Sequence, residues 1–404
     1  MTTSHAAAAS ERTTIRPFEF NFPDEELSDL RRRINATRWP EKETVADLSQ
    51  GVPLTTTQKL ASYWETDYDW RKCEAKLKAV PHFITEIDGL DIHFIHVRSK
   101  HENALPLIVT HGWPGSIIEQ LKIIEPLTNP TAYGASESDA FDLVIPSMPG
   151  YGFSGKPTTS GWDAVRIARA WIVLMKRLGY TKFVAQGGDW GAIISDLMGV
   201  AAPAELIGIH TNMGGAVPPE IDKAAFTGAP PPAELAADEM DAYDRLVFFY
   251  KHGLSYAQEM GNRPQTLYGI ADSPVALAAW ILDHDPWSLA MMARVFDGQT
   301  EGLTKDDILD NITFYWLTNT GVSSARLYWE NWTKLAFFAP KSVGIPVAVT
   351  AFPDDIDVPS RSWAERAYPK LIHYNKADKG GHFAAWEQPE IFVSEVRTAF
   401  RSLR

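Results

Sequence analysis

The stretch Gln186-Gly187-Gly188-Asp189-Trp190-Gly191 decides the fold of this chain. A short apolar run, residues 182–185, precedes it, and a helix-like run, residues 192–198, follows it. A strand, a glycine-flanked turn and a helix in this order form a nucleophile elbow, in which small flanking residues let strand and helix approach closely. Most such elbows carry serine at the apex, whereas this one carries Asp189.

The aspartate at the apex changes which reactions are possible. A serine that opened an epoxide or displaced a halide would leave an ether, which water does not readily cleave. A carboxylate that attacks the same carbon leaves an ester, and activated water can attack the ester carbonyl, so one hard step is divided into two. Asp189 therefore suits alkyl transfer followed by hydrolysis. Taken alone, however, the same residue is equally typical of a helix N-cap.

Composition limits the class of protein. With 404 residues, of which 45% are apolar, the chain can form one large catalytic domain with insertions, or two domains. Its net charge of -13 argues against nucleic acid and anionic membranes as partners. The single cysteine, Cys73, excludes an intramolecular disulfide and fits a reducing compartment, so we expect a cytoplasmic protein.

Several kinds of binding segment are missing from the sequence. No apolar run approaches the length that spans a bilayer, so no membrane anchor is expected. There is also no cysteine and histidine cluster with zinc spacing and no glycine-rich nucleotide-binding motif. We therefore expect neither a metal nor another cofactor.

The hydrophobic pattern predicts a mostly parallel central sheet flanked by helices. A long amphipathic helix is expected at 162–178, and strands alternate with helical segments, which implies βαβ units. The predicted strands lie at 82–87, 92–97, 105–110, 141–146, 183–185, 205–210, 345–350 and 370–374.

The chain divides into five predicted segments. A helical block interrupts the strand pattern late in the chain, which predicts a lid over the carboxyl ends of the strands, where ligands bind. The segments are a flexible tail at 1–16, an N-terminal helical extension at 17–80, the first part of the core at 81–216, the helical lid at 217–344, and the second part of the core at 345–404.

An elbow nucleophile needs a base and an acid that orients the base. His382 fits the base, because it lies on a loop after a strand and the chain order of such hydrolases is nucleophile, acid, histidine. The acid should follow the strand at 345–350. Asp354, Asp355 and Asp357 all lie there, and position alone does not separate them.

The site also needs hydrogen-bond donors. The loop 111–116, with the sequence H-G-W-P-G-S, can direct the backbone N–H of Trp113 toward the elbow, and the N–H of Trp190 can supply the second oxyanion donor. Epoxide opening further requires a donor to the leaving alkoxide, for which a tyrosine hydroxyl in the lid is suitable. The candidates are Tyr243, Tyr250, Tyr256, Tyr268, Tyr315 and Tyr328.

These motifs together resemble the microsomal-type epoxide hydrolases, a family with the α/β-hydrolase fold and an added N-terminal segment. The resemblance extends from about residue 17 to the C-terminus. It is carried by Pro17-Phe18, Arg38-Trp39-Pro40, the loop at 111–116, Pro149-Gly150-Tyr151-Gly152-Phe153-Ser154, the elbow, Asp272-Ser273-Pro274, and the run Gly380-Gly381-His382-Phe383-Ala384-Ala385-Trp386-Glu387.

The resemblance implies roles for particular residues. Asp189 matches the family's nucleophile and His382 its base, and the third residue after the phenylalanine of the F-P-x-[DE] motif makes Asp355, not Asp354, the acid. The implied reaction converts an epoxide into a vicinal diol through a hydroxyalkyl-aspartate ester, which water activated by His382 then hydrolyses.

The same resemblance selects two lid tyrosines that would hold the epoxide oxygen. Tyr328 matches one of them directly. Tyr256 matches the other when Arg263-Pro264 is aligned with the family's basic-proline pair, whereas counting from Gly253 gives Leu254.

Other functions remain as alternatives at this stage. A haloalkane dehalogenase-like hydrolase also uses an aspartate elbow and a histidine base, and a non-catalytic member of the fold would only bind a ligand. The tryptophan- and phenylalanine-rich lid favours an apolar or aromatic small-molecule epoxide as the partner, and detoxification, catabolism and biosynthesis all remain open as its role. The N-terminal segment could support a homodimer.

Overall fold

The structure of the protein, a computed structural model, describes residues 12–232, 234–299 and 302–404. Most of the predicted flexible tail, residues 1–11, lies outside the described residues, so that part stays a prediction. The end of the tail differs from the prediction, because Arg16–Pro17 forms a short strand that pairs with the next one. The sheet therefore begins one residue before the predicted boundary.

A nine-stranded sheet forms the centre of the fold, with the strand order β1-β2-β3-β5-β4-β6-β7-β8-β9. The pairs β1–β2, β2–β3 and β3–β5 are antiparallel, and every pair from β5 onward to β9 is parallel. The strands are β1 (Arg16–Pro17), β2 (His82–Ile87), β3 (Leu90–Val97), β4 (Leu105–Thr110), β5 (Phe141–Pro146), β6 (Phe183–Gly187), β7 (Leu206–Thr211), β8 (Val347–Ala351) and β9 (Leu371–Lys376). The predicted strands are all present.

Helices cover both faces of the parallel part, and for this reason its strands are nearly continuous apolar runs. Every residue of β6 and of β8 is buried. The helices of the N-terminal segment and core are α1 (Asp24–Asn35), α2 (Leu54–Thr66), α3 (Trp70–Lys78), α4 (Leu121–Thr128), α5 (Ala164–Arg177) and α6 (Trp190–Ala201).

The predicted lid contains helices and no strand among the residues described between 217 and 344. Its helices are α7 (Pro219–Thr227), α8 (Ala237–His252), α9 (Ser255–Asn262), α10 (Tyr268–Asp272), α11 (Pro274–Leu282), α12 (Pro286–Phe296), α13 (Lys305–Thr318) and α14 (Gly321–Asn331). The core then resumes with β8, α15 (Arg361–Ala367), β9, α16 (Ala384–Glu387) and α17 (Pro389–Phe400). No described helix has both the length and the apolarity needed to cross a bilayer.

The N-terminal segment begins as an extended arm, so the prediction of a wholly helical segment from residue 17 is wrong for the residues before α1. Phe18, Phe20 and Phe22 alternate along the arm and all pack near Phe153, with ring centroids 5.2, 4.5 and 6.2 Å away. Alternation with a period of two is the pattern of an extended chain that buries one face. The aromatic spacing therefore explains the arm.

The helical part of the N-terminal segment is bonded to the lid. The Trp64 indole N–H donates to the Thr313 hydroxyl at 2.9 Å, and the Tyr68 hydroxyl donates to the Asp310 carboxylate at 2.8 Å. Both bonds are buried and reach α13, so the N-terminal segment holds the lid against the core.

Candidate active site

The elbow places Asp189 between β6 and α6 with the backbone angles φ 51° and ψ -128°. Only glycine fits on either side. A Cβ on Gly187 would lie 2.0 Å from the Gly191 carbonyl oxygen, and a Cβ on Gly191 would lie 1.9 Å from the Thr110 carbonyl oxygen. Although Asp189 occupies the N-cap position of α6, its side chain makes no capping hydrogen bond. The carboxylate is thus directed to other partners.

The two predicted oxyanion donors lie at the Asp189 carboxylate. The Trp113 N–H donates to Asp189 Oδ1 at 2.8 Å, and the Trp190 backbone, after His382 and His284, helps to lower the pKa of that carboxylate. The Trp113 loop is held by the lid, because Asn311 Nδ2 donates to the Pro114 carbonyl oxygen at 2.8 Å. The position of the Trp113 N–H thus depends on α13, which carries Asn311.

In the structure His382 lies beside Asp189, and one of the three candidate aspartates contacts its ring. His382 Nδ1 lies 2.7 Å from Asp355 Oδ1, and His382 Nε2 lies 3.5 Å from Asp189 Oδ2. Asp354 is exposed, and the buried Asp357 carboxylate has no hydrogen-bond partner among the described residues. Of the three competing aspartates, only Asp355 therefore orients the histidine.

The charges of these groups stabilise one another in a buried site. Burial by itself would raise the pKa of Asp189, but the hydrogen bond and charge of His382 outweigh it and lower that pKa below its usual value. Burial would likewise lower the pKa of His382, yet the Asp355 charge and the hydrogen bond to Asp189 raise it well above the ordinary range. The resting site is thus a carboxylate beside an imidazolium.

Glu387, to which the sequence reasoning gave no role of its own, holds the His382 loop. The Glu387 carboxylate accepts hydrogen bonds from the backbone N–H groups of Gly381 and Phe383, both at 2.9 Å. These two residues flank His382, so Glu387 fixes the backbone on both sides of the ring. Burial raises the pKa of Glu387 to about 7.

The two tyrosines selected by the resemblance meet above Asp189. The rings of Tyr256 and Tyr328 have centroids 5.8 Å apart, and the Tyr256 ring stacks on Trp113 at 4.9 Å. Both tyrosines line one cavity together with Asp189. Burial raises the pKa of both hydroxyls well above the ordinary value, so they stay protonated and can donate hydrogen bonds.

The hydroxyls of the other lid tyrosines are bonded to other groups or exposed, although Tyr250 also lines this cavity. The Tyr315 hydroxyl donates a hydrogen bond to the Gly115 carbonyl oxygen at 2.7 Å and so helps to hold the loop at 111–116 in place. Tyr243 and Tyr250 donate to partners within the lid, and Tyr268 is exposed. The alternative position, Leu254, lines the same cavity but has no donor on its side chain.

The cavity above Asp189 has a volume of about 340 Å³, which is at the small end of ligand-binding cavities. Its polar lining residues are Asp189, Tyr256 and Tyr328, together with Asp222, Tyr250 and Asn331. Its walls are largely apolar and aromatic, with Phe226, Phe249, Trp332, Leu335, Phe337 and Phe338 among them.

A second, much smaller cavity of about 20 Å³ lies against Asp189 and His382. It is large enough for one water molecule, which needs about 10–15 Å³. Glu119, Gln120 and Asn212 also line it, and Glu119 Oε2 has no hydrogen-bond partner within the described part of the chain. Burial raises the pKa of Glu119 to about 8, so a protonated carboxyl faces this space at neutral pH. The sequence reasoning missed Glu119 and Gln120.

Family comparisons agree with the geometry. The family model described as "Epoxide hydrolase N terminus" matches residues 15–120, and the one described as "alpha/beta hydrolase fold" matches residues 106–267. A putative epoxide hydrolase of Stigmatella aurantiaca is 48% identical over 96% of this chain and 86% of its own length. Epoxide hydrolase 1 of Oryctolagus cuniculus is 36% identical over 96% of this chain and 88% of its own length.

Solved structures extend the likeness to the whole chain. The juvenile hormone epoxide hydrolase of Bombyx mori has a TM-score of 0.85 and 32% identity, and the match covers 97% of this chain and 96% of that one. The epoxide hydrolase of Aspergillus niger has a TM-score of 0.81 and 29% identity, with 97% of each chain covered. These matches confirm the predicted α/β-hydrolase fold.

Proposed function

The chain belongs to the epoxide hydrolases, and we propose that it converts an epoxide into a vicinal diol through a covalent ester on Asp189. One observation carries this proposal. The Asp189 carboxylate lies at the wall of an apolar cavity, with two protonated tyrosines beside it in that cavity and a buried histidine–aspartate pair against its other oxygen. A nucleophile, an acid for the leaving oxygen and a base for water are thus in one place.

In the first step, Asp189 forms the ester. Oδ1 keeps its hydrogen bond from the Trp113 N–H and becomes the carbonyl oxygen, so Oδ2 bonds to an epoxide carbon. The ring C–O bond breaks, and Tyr256 and Tyr328 stabilise the leaving alkoxide and give it a proton.

Formation of the ester prepares the base. It removes the negative charge of Asp189, which is one of the groups that raise the pKa of His382. The imidazolium then releases its proton, which restores the neutral hydroxyl of the tyrosine that protonated the alkoxide. His382 is thereby neutral when water must be deprotonated.

In the second step, water hydrolyses the ester. His382 Nε2 takes a proton from water while the oxygen attacks the Asp189 carboxyl carbon, and the Trp113 and Trp190 N–H groups stabilise the oxyanion. The bond from the carboxyl carbon to the substrate oxygen then breaks, and His382 protonates the departing diol. The proton left on the Asp189 carboxyl then passes to His382, which restores the carboxylate and the imidazolium. The small cavity beside Glu119 is where this water fits.

Isotope labelling tests the covalent route. Because water attacks the enzyme carboxyl carbon, a single turnover in heavy-oxygen water should label Asp189, and peptide mass spectrometry after quenching would show a gain of about 2 Da. The Asp189→Asn variant is the control for background exchange. Label found in the diol alone after one turnover would overturn the scheme.

Activity assays on the wild type and on one variant distinguish an epoxide hydrolase from a haloalkane dehalogenase and from a non-catalytic binding protein. Chloride or bromide release from a haloalkane, without diol from any epoxide, would indicate a dehalogenase. A ligand-binding protein without catalysis would keep its function in the Asp189→Ala variant, whereas the proposed hydrolase loses turnover. The pair of cavity tyrosines beside the nucleophile favours the epoxide.

We further propose that the substrate is a small apolar or aromatic epoxide, because the cavity walls are aromatic and its volume is modest. A panel of styrene-type, terpene and fatty-acid epoxides, with chiral analysis of the diols, tests this. Preference for a charged or strongly polar epoxide would contradict it. A cytoplasmic location, a detoxification role and a homodimer stay predictions.

A further inference from the structure

Two neighbouring side chains carry buried polar atoms that no described residue satisfies. Glu119 and Gln120 are only 7% and 3% exposed, and both lie in the short helical turn Ile117–Gln120. Gln120 Nε2 donates to Glu119 Oε1 at 2.7 Å, and Glu119 Oε2 and Gln120 Oε1 are left without a partner. Because buried polar groups are nearly always hydrogen-bonded, these two oxygens require a further partner.

The small cavity beside the nucleophile is where that partner fits. This space of about 20 Å³ is lined by Glu119 and Gln120 and also by Asp189 and His382. Its volume admits one water molecule, and a buried water typically makes about three hydrogen bonds. The two unpaired oxygens supply two of these bonds.

His382 supplies the third bond once the ester has formed. In the resting site, His382 Nε2 lies 3.5 Å from Asp189 Oδ2 and its proton faces that carboxylate. After esterification of Asp189 and release of the imidazolium proton, the same nitrogen carries a lone pair and can accept a hydrogen bond from water. The complete set of partners is thus present at the stage when water must react.

We propose that Glu119 and Gln120 bind the water that hydrolyses the ester and orient it toward the Asp189 carboxyl carbon. This inference rests on the proposed function and concerns its second step. Glu119 Oε1 already accepts the Gln120 N–H, so the carboxyl proton lies on Oε2 and is donated to the water oxygen. One water hydrogen is donated to Gln120 Oε1 and the other to His382 Nε2.

A water bound in this way has one lone pair left for the reaction. Its two hydrogens and one lone pair are engaged by Gln120, His382 and Glu119. The fourth tetrahedral direction is free for the Asp189 carboxyl carbon, because Asp189 lines the same cavity. Deprotonation by His382 and attack by this lone pair therefore require no rotation of the water.

The water and the substrate occupy separate spaces. Asp189 lines both the small cavity and the large cavity that contains Tyr256 and Tyr328, and no other described residue lines both. An epoxide that enters the large cavity thus leaves the water in place. We therefore expect the water to be bound before the ester forms.

Rapid-quench kinetics test the role of Glu119. Glu119→Leu removes the donor but keeps similar bulk, so the ester should form at the wild-type rate, accumulate, and decay about 10²-fold more slowly. Glu119→Gln presents an amide N–H in place of the carboxyl O–H, and its ester should decay within about tenfold of the wild-type rate. Glu125→Leu, at an exposed glutamate on α4, is the matched control and should leave both steps unchanged.

Gln120→Leu provides a second test, which stands even if Glu119→Leu does not fold. It removes the acceptor of one water hydrogen and should slow ester decay about tenfold, again without slowing ester formation. Decay at the wild-type rate in Glu119→Leu or in Gln120→Leu would overturn the water site. Equal slowing of decay in Glu119→Leu and Glu119→Gln would also overturn it, because the amide retains a donor.

A crystal structure of the resting wild type tests the site without any assay of turnover. At high resolution it should show one water within about 3.2 Å of both Glu119 Oε2 and Gln120 Oε1, and the absence of that water would refute the site. A wild type that forms no ester with any epoxide would instead refute the proposed function. The two failures are thus distinguishable.

Discussion

Replacement of Asp355 by asparagine should slow hydrolysis of the ester far more than its formation. The His382 imidazolium that forms in the second step is fully buried, and Asp355, 2.7 Å away, is its remaining counter-ion once Asp189 is esterified. Unit charges about 4 Å apart at an effective dielectric constant of about 20 interact by about 4 kcal/mol. Loss of this interaction corresponds to a decrease of about 10³-fold in the hydrolysis rate.

Rapid-quench kinetics with intact-protein mass spectrometry resolve the two steps. In Asp355→Asn, the first turnover should convert nearly every active site into the ester, visible as a mass gain equal to that of the substrate. Decay of that species should then be about 10³-fold slower than in the wild type. Ester formation uses the Asp189 carboxylate and the tyrosines and creates no imidazolium, so its rate should change much less.

Asp354→Asn is the matched control, because it makes the same chemical change one residue away on an exposed side chain. It should leave both steps at wild-type rates. If Asp355→Asn slows hydrolysis of the ester by less than tenfold, or slows ester formation and ester hydrolysis equally, Asp355 does not act as the counter-ion of His382.

Three further outcomes are expected. Tyr256→Phe and Tyr328→Phe each remove one donor and should slow ester formation about 10²–10³-fold in rapid-quench assays, without ester accumulation. Burial raises the pKa of Asp310 to about 6, so the folded state should lose about 3 kcal/mol of stability as pH rises from about 4 to 6, and urea titrations of Asp310→Asn should lack this loss. Gly191→Ala should lower the melting temperature or prevent folding, because its Cβ would lie 1.9 Å from a backbone oxygen, whereas Gly269→Ala, with no atom within 4 Å, should not.

The elbow was predictable because its geometry is local. The backbone approaches so closely at Gly187 and Gly191 that only glycine fits there, and this requirement can be recognised in the sequence as glycines at a fixed spacing from Asp189. His382 was predictable from chain order, because successive parallel strands bring the loops after them to one edge of the sheet. Spacing alone did not distinguish Asp355 from Asp354, because these neighbours on one loop differ only in the three-dimensional structure, where Asp355 is buried and Asp354 is exposed.

The remaining groups depend on how distant elements pack. Glu119 and Gln120 lie in the short helical turn Ile117–Gln120 after β4, and neither belongs to a motif with diagnostic spacing. They line the space beside Asp189 because this turn packs against the segment that follows His382, and local patterns do not encode that contact. The extended arm was wrongly predicted as helical, although the alternation of Phe18, Phe20 and Phe22 in the sequence has the period of two that is typical of an extended chain.

The bonds between the N-terminal segment and the lid have a consequence for synthesis. Tyr68 and Asp310 are 242 residues apart, and Trp64 and Thr313 are 249 apart. At about 5–20 residues per second, a ribosome needs roughly 12–50 s to supply these partners, during which the apolar face of the first helices stays uncovered.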